Sequence, residues 1–164
     1  MEKQAANIQK TVIKPIPLIV VSCCNKAGKN NALVVGYCCN CSFDPPMIMV
    51  GIVPSRYSYS MIKETGEFVV NLLGENNKDA YDYLGKHSGR DEDKFKKLGL
   101  IIKKGLKVSA PIILDFPVNI ECKVTGSIVT GSHEMFAGKI EHIHASPGYI
   151  DKDGNIDYSK IKIQ

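Results

Sequence analysis

Two long β-prone runs joined by a tight turn constrain this chain most. They are VNIECKVTGSIVT from Val118, the turn Gly131-Ser-His-Glu, and MFAGKIEHIHA ending at Ala145. Branched residues recurring among polar neighbours, broken by Gly and Ser, are what an antiparallel strand pair needs. The following YIDKDGNIDYSKIKI turns around Asp-Gly-Asn and reads as a further hairpin. A chain that closes this way belongs to an antiparallel sheet, which its first half must complete.

The first half supplies the strands. Pro15–Cys24 (PIPLIVVSCC) reads as a buried strand, Asn25–Asn31 as a polar turn, and Ala32–Cys39 as the strand returning beside it. Asn40–Pro46 is loop chemistry, with Asp44-Pro-Pro barring helix, and Met47–Val53 is a third strand that Pro54 closes. Ser58–Thr65 is helical, with Ser58 placed as N-cap and Gly66 as terminator, and Glu67–Leu73 restarts a strand. Asn76–His87 carries Ala80, Tyr83, Leu84 and His87 at helical spacing, and Glu92–Leu98 is a short helix ended by Gly99. Strands, a helical insertion and more strands predict a β-rich α+β barrel in one domain over residues 1–164.

Charge and cysteine usage narrow the partners. The net charge of +4 is modest and basic residues are interleaved with acids, as in Asp91-Glu-Asp-Lys-Phe-Lys-Lys, so no nucleic-acid partner is expected. No apolar run reaches the roughly 18 residues of a membrane span, and MEKQAANIQK has no signal-peptide apolar region, which predicts a cytoplasmic protein with no membrane partner. The six cysteines lie in strand-like apolar settings, so reduced thiols are expected.

Residues with chemistry concentrate between Gly28 and Ser58. Ser55-Arg56-Tyr57-Ser58 falls between a strand end and a helix start, where backbone N–H groups, two hydroxyls and a guanidinium can converge on a phosphate. Taken alone, the same residues also make a surface turn whose serines cap the helix. Cys38-Cys39-Asn40-Cys41-Ser42 has the thiol density of a metal site. It lacks a second pair at zinc-site spacing, so the thiols read as small side chains lining a strand end. His142 and His144 alternate onto one strand face without a matching carboxylate and read as solvated. His133 lies in a turn, from which an imidazole can reach a cleft. No Walker loop, Gly-x-Ser-x-Gly elbow, His-Glu-x-x-His or Rossmann glycine pattern occurs, so redox or group-transfer chemistry would come from a bound cofactor.

Several spaced segments, taken together, resemble the flavin reductase-like family of FMN-binding split β-barrels that includes flavoredoxins. They are Pro17-Leu-Ile-Val-Val, Gly28-Lys-Asn-Asn-Ala, Ser42-Phe-Asp-Pro-Pro-Met-Ile-Met-Val, Ser55-Arg-Tyr-Ser and Glu64-Thr-Gly-Glu-Phe-Val-Val-Asn. Further on come Ser88-Gly-Arg with Asp93-Lys-Phe, Ala110-Pro, Glu121-Cys-Lys and Gly131-Ser-His-Glu-Met-Phe-Ala-Gly. The resemblance implies an antiparallel, Greek-key-like split barrel of six strands with a short helical insertion, homodimeric, with FMN in a cleft near the subunit interface. It places Asn30 and Asn31 at a turn near the flavin, and Tyr37, Cys38, Cys39, Asn40, Cys41 and Ser42 along the isoalloxazine edge. Ser55, Arg56 and Ser58 match phosphate contacts; Ser88, Gly89 and Lys94 match a loop close to the cofactor; His133 matches a turn histidine on the flavin side of the cleft, the expected catalytic residue.

Tyr37 stands where relatives often carry Trp, which keeps an aromatic at that edge. The sequence stops at Gln164, whereas many relatives carry a longer C-terminal segment, and a more open substrate approach is expected. The implied activity passes electrons from NADH or NADPH through FMN to a flavin, a ferric complex or a protein acceptor. Two alternatives remain: a flavoredoxin-type electron carrier without a nicotinamide site and, more remotely, a Cys-based metal module.

Overall fold

The computed structural model describes residues 4–5 and 7–162. Strands β1 (Ile19–Cys24) and β2 (Asn30–Val35) form the expected antiparallel pair, with Ile19 opposite Val35 and Cys24 opposite Asn30. β1 is buried along its whole length, and its residues divide with period two between cores on its two faces. Ile19, Val21 and Cys23 join Val50, Phe68, Ile120 and Phe136 in the larger core. Val20 faces the other way, toward Ala32, Leu84, Phe95 and Phe116.

The run Ala32–Cys39 departs from the expected single strand. It bends at Gly36, and β3 (Tyr37–Ser42) begins one residue later, so Asn40, Cys41 and Ser42 are strand and only 43–46 is turn. β3 pairs with β4 (Met47–Ile52), with a register shift between Asn40 and Ser42. Helix α1 (Tyr57–Thr65) follows, then β5 (Glu67–Leu72), α2 (Lys78–Lys86), α3 (Lys94–Leu98), β6 (Ile102–Lys104), β7 (Pro111–Ile113), β8 (Val118–Thr130) and β9 (His133–Ala145). Ser58 does not cap α1. Arg56 occupies the cap position in extended conformation, because the turn closed by Arg56 N–H to the Val53 carbonyl starts the helix earlier. Gly66 ends α1 as expected, at φ 68°, where a Cβ would be strained.

The main sheet is antiparallel and has seven strands rather than the implied six, since the bend at Gly36 divides one run into β2 and β3; their order is β2-β1-β5-β8-β9-β4-β3. β2 and β3 are its two edges, yet only Gly36 separates them in sequence. Two residues of chain span at most about 7 Å, so the edges must converge there and the sheet curls into a half-closed barrel. No ladder joins β2 to β3, and the barrel stays split between them. This is the antiparallel split barrel with a short helical insertion that the sequence predicted.

α2 and α3 cover the outer face of β1 and β2 through Leu84 and Phe95, which is where the helical insertion matters for function. The β6–β7 pair was not legible in the sequence. β8 and β9 realise the long hairpin, with register shifts at Glu121/Cys122 and Val124/Gly126. The expected closing hairpin is reduced to one bridge, Ile150 to Ile156, and a 3-10 turn at Tyr158–Lys160; residue 163 of that segment lies outside the described residues.

Candidate phosphate cleft and the β3 edge

Three segments meet on the outer face of β2: the strand itself, the β4–α1 turn and the loop from α2 to α3. Between them lies a cleft of about 230 Å³ whose lining includes Ser55, Arg56, Ser58, Ser88, Gly89 and Lys94. Four cationic side chains line it (Arg56, Lys86, Arg90 and Lys94) and no carboxylate does. No side chain caps the first turn of α1 at its rim, so the opening N–H groups of that helix and its dipole are available to an anion.

The residues expected at a phosphate divide here into contacts and supports. Ser55 and Arg56 are exposed and free to meet a ligand. Ser58 is buried, and its hydroxyl accepts a hydrogen bond from Asn31 Nδ2 at 2.9 Å, which ties α1 to β2. Gly89 is also buried, and a Cβ there would collide with the Asn31 carboxamide; the α2–α3 loop can approach β2 only with glycine at this position. Lys94 is 3% exposed, and its ammonium donates to the carbonyls of Ala32, Leu84 and His87 at 2.5, 3.2 and 3.0 Å. All three of its hydrogens are thereby used. Lys94 lends the cleft charge and rigidity without a free donor, and burial pushes its pKa down to about 8, still charged at neutral pH.

Sequence reasoning missed Arg90. Its Nη1 and Nη2 donate to the Ser55 carbonyl at 3.2 and 3.1 Å, and the guanidinium lies 5.3 Å from the Tyr57 ring centroid. The signal was present in Ser88-Gly-Arg, but a lone arginine among acids gives no sign of where it folds back.

The remaining expected residues lie elsewhere. Asn30 and Asn31 open strand β2 rather than lying in the turn, because both pair with β1, and Asn30 lines a larger groove of about 620 Å³ shared with Cys24, Glu64, Glu67 and Lys103. That groove mixes acids with bases, so it offers no anion site comparable to the smaller cleft. Tyr37 to Ser42 form the free edge strand β3 and do not line the phosphate cleft. Cys39, Asn40 and Cys41 are exposed, Ser42 is half-buried, and burial with neighbouring thiols pushes Cys38 up to about 12. His133, at the start of β9, also lies outside the cleft and packs edge-on against Tyr37, centroids 4.9 Å apart.

His142 and His144 do share a face, with ring centroids 4.5 Å apart, but the expectation of a solvated pair without a carboxylate is corrected. Both are half-buried, and His144 Nε2 donates to Oε1 of the fully buried Glu121 at 2.5 Å. Glu121 also accepts the amides of Leu106, Lys107 and Val108. Burial alone would raise its pKa, and these four bonds outweigh that and lower it. Among the described residues, no group of three or more His, Cys, Asp or Glu side chains is arranged to hold a metal ion.

This curled, split antiparallel sheet matches the split barrels of solved flavin reductase-like structures. The flavin reductase like domain family matches residues 14–158, and the chain belongs to it. The structure resembles the flavoredoxin of Desulfovibrio vulgaris (Miyazaki F) with a TM-score of 0.89 and 30% identity, covering 97% of this chain and 85% of that one. In sequence it is 37% identical over 134 residues to an uncharacterized protein of Archaeoglobus fulgidus, 81% of this chain and 75% of that protein. It is 27% identical over 122 residues to an NADH:riboflavin 5'-phosphate oxidoreductase of Streptomyces pristinaespiralis, 74% of this chain and 66% of that enzyme. The matches span from 37% to 75% of the length of the curated relatives. No helix among the described residues is long and apolar enough to cross a membrane.

Proposed function

We propose that the protein is an FMN-dependent oxidoreductase that passes electrons from NADH or NADPH to a flavin, a ferric complex or a protein acceptor. The observation that carries this reading is the cleft beside α1, four cations and no carboxylate, whose donor set fits a phosphate dianion. Ser55, Arg56 and the first-turn amides of α1 would hold the phosphate, while Asn31, Ser58, Gly89 and Lys94 keep those groups in place. The backbone of β3 from Tyr37 to Ser42 would edge the ring system, and His133, packed on Tyr37, would hold a proton near that edge. When bound, the flavin supplies the hydride and single-electron chemistry, which is why the chain needs no catalytic triad or metal.

A homodimer with the flavin near its interface completes the reading. The free β3 edge with Phe43 fully exposed, and Ile128 and Val129 exposed on the β8–β9 extension, are the surfaces a second copy would cover. Six free cysteines are consistent with a cytoplasmic location. The reading is tested by loading the protein with FMN and adding NADH or NADPH without oxygen. Rapid bleaching of the flavin absorbance supports the reductase. The likeness to flavoredoxin at 30% identity favours one alternative, an electron carrier without a nicotinamide site, for which neither nucleotide bleaches the flavin.

A further inference from the structure

We propose that the cavity between the β6–β7 hairpin and strands β8 and β9 binds a small organic anion, with an apolar body, a carboxylate at one end and an N–H or O–H donor at the other. The cavity holds about 440 Å³, the size of a small-molecule site, and shares no lining residue with the phosphate cleft. It therefore stands apart from the flavin reading.

Strand alternation builds its floor. Val118 and Ile120 join the larger core, so Asn119 between them faces the other way, under the hairpin. Asn119 is 3% exposed, and both its Nδ2 hydrogens are used, on the Asn71 Oδ1 and the Ile113 carbonyl at 2.9 Å each. Among the described residues no group donates to its Oδ1, and no fully buried side-chain oxygen is left unpaired, so this one reaches the cavity that Asn119 lines. His144 is the residue directly opposite on β9 and lines the same cavity. Its Nε2–H is spent on Glu121, which leaves Nδ1 of the neutral ring an acceptor as well. Directly paired residues carry their Cβ atoms about 5 Å apart, close enough for one ligand donor to meet both acceptors.

Above this floor the walls are apolar: Leu106, Ile112, Leu114, Phe116 and Pro117. Leu106 and Leu114 are 65% and 49% exposed at the mouth, apolar surface that a ligand body would take out of water. At the rim stand Lys103 and Lys104 of β6, both exposed and neither in an ion pair among the described residues. No carboxylate lines the cavity. Acceptors at the floor, apolar walls and cations at the rim call for a donor, an apolar body and an anion in that order.

The test titrates FMN-loaded protein, freed of excess flavin, by calorimetry with three probes. Indole-3-acetate carries all three features, 1-naphthaleneacetate lacks the N–H, and 3-methylindole lacks the carboxylate. Indole-3-acetate should saturate one site per chain, and 1-naphthaleneacetate should bind roughly tenfold more weakly because it leaves buried acceptors unpaired. Loss of the carboxylate should cost roughly two- to fivefold, the scale of exposed charge pairs, and Lys103→Met with Lys104→Met should erase that difference. Leu114→Glu, at an exposed position, should abolish binding by placing a carboxylate at the mouth. Indole-3-acetate that does not saturate overturns the site. So does equal affinity for 1-naphthaleneacetate, which denies the donor end, or unchanged affinity in Leu114→Glu, which places the probe elsewhere. A Leu114→Glu variant that sediments as a smaller species than wild type also overturns it, since a second copy then covers this face.

Discussion

The phosphate cleft and the β3 edge come from one stretch of sequence, Gly28 to Ser58, yet they are built in opposite ways. Around the cleft, buried groups hold the framework together: Asn31 braces Ser58, Gly89 admits the loop, and Lys94 binds three carbonyls from β2, α2 and the loop after it. On β3, Tyr37, Cys39, Asn40 and Cys41 are exposed, and the strand is paired on one side only. Buried, satisfied polar groups fix geometry because leaving any one unpaired is costly, whereas an exposed edge gains its shape from whatever covers it. The cleft is therefore preorganised, and the β3 edge is not.

That contrast can be broken by substitution, and the largest effect is expected at the anchor. Arg56→Ala should weaken FMN binding by roughly 1.5–3 kcal/mol, the scale of a hydrogen bond to a charged group, as read by titration. An unchanged affinity would remove Arg56 from the site. Next comes the brace: Asn31→Ala leaves the buried Ser58 hydroxyl unpaired and should cost about 1–3 kcal/mol of stability in urea denaturation. A loss below about 0.5 kcal/mol, the range of ordinary surface changes, would show that the cleft is not rigidly supported.

A third expectation concerns acid. Hydrogen bonds from Ser127, Tyr59 and Lys63 hold the Glu134 carboxyl down to about 2, below its ordinary 4.5. A depressed carboxyl stabilises the fold above its unfolded pKa, so this contribution is complete above pH 4.5 and is lost as pH falls through about 2. Glu134→Gln should flatten stability across that window, and an identical acid profile would contradict the assignment. The smallest effect is expected on β3. Cys39→Ser with Cys41→Ser should change stability by less than about 0.5 kcal/mol and FMN affinity by less than about twofold. A larger loss would mean that the edge is as tightly specified as the cleft.

Legibility in the sequence followed the same division. β1 announces itself by full burial, and β8 and β9 by long β-prone runs around a tight turn. The bend at Gly36 did not, since Ala32–Cys39 is one unbroken small and apolar run and the reason for the break is closure of the barrel, a property of the whole sheet. β6 and β7 are three residues each, too short to show a period. At the site, Ser55 and Arg56 were readable from their place between strand and helix. The supporting roles of Ser58 and Lys94 were not, because a serine or lysine in a polar run gives no sign of being buried. Arg90 and the Glu121–His144 pair depend on register and loop folding across long sequence separations, which no local pattern encodes.

The claim at the centre is that the cleft beside α1 holds the flavin by its phosphate. The most direct test compares FMN with riboflavin, which differs only in lacking that group, by fluorescence titration of the flavin-free protein. FMN should bind roughly tenfold or more tighter, the return of at least one charge-assisted hydrogen bond, and Arg56→Ala should shrink the difference. Equal affinity for the two, with Arg56→Ala changing neither, would contradict the account.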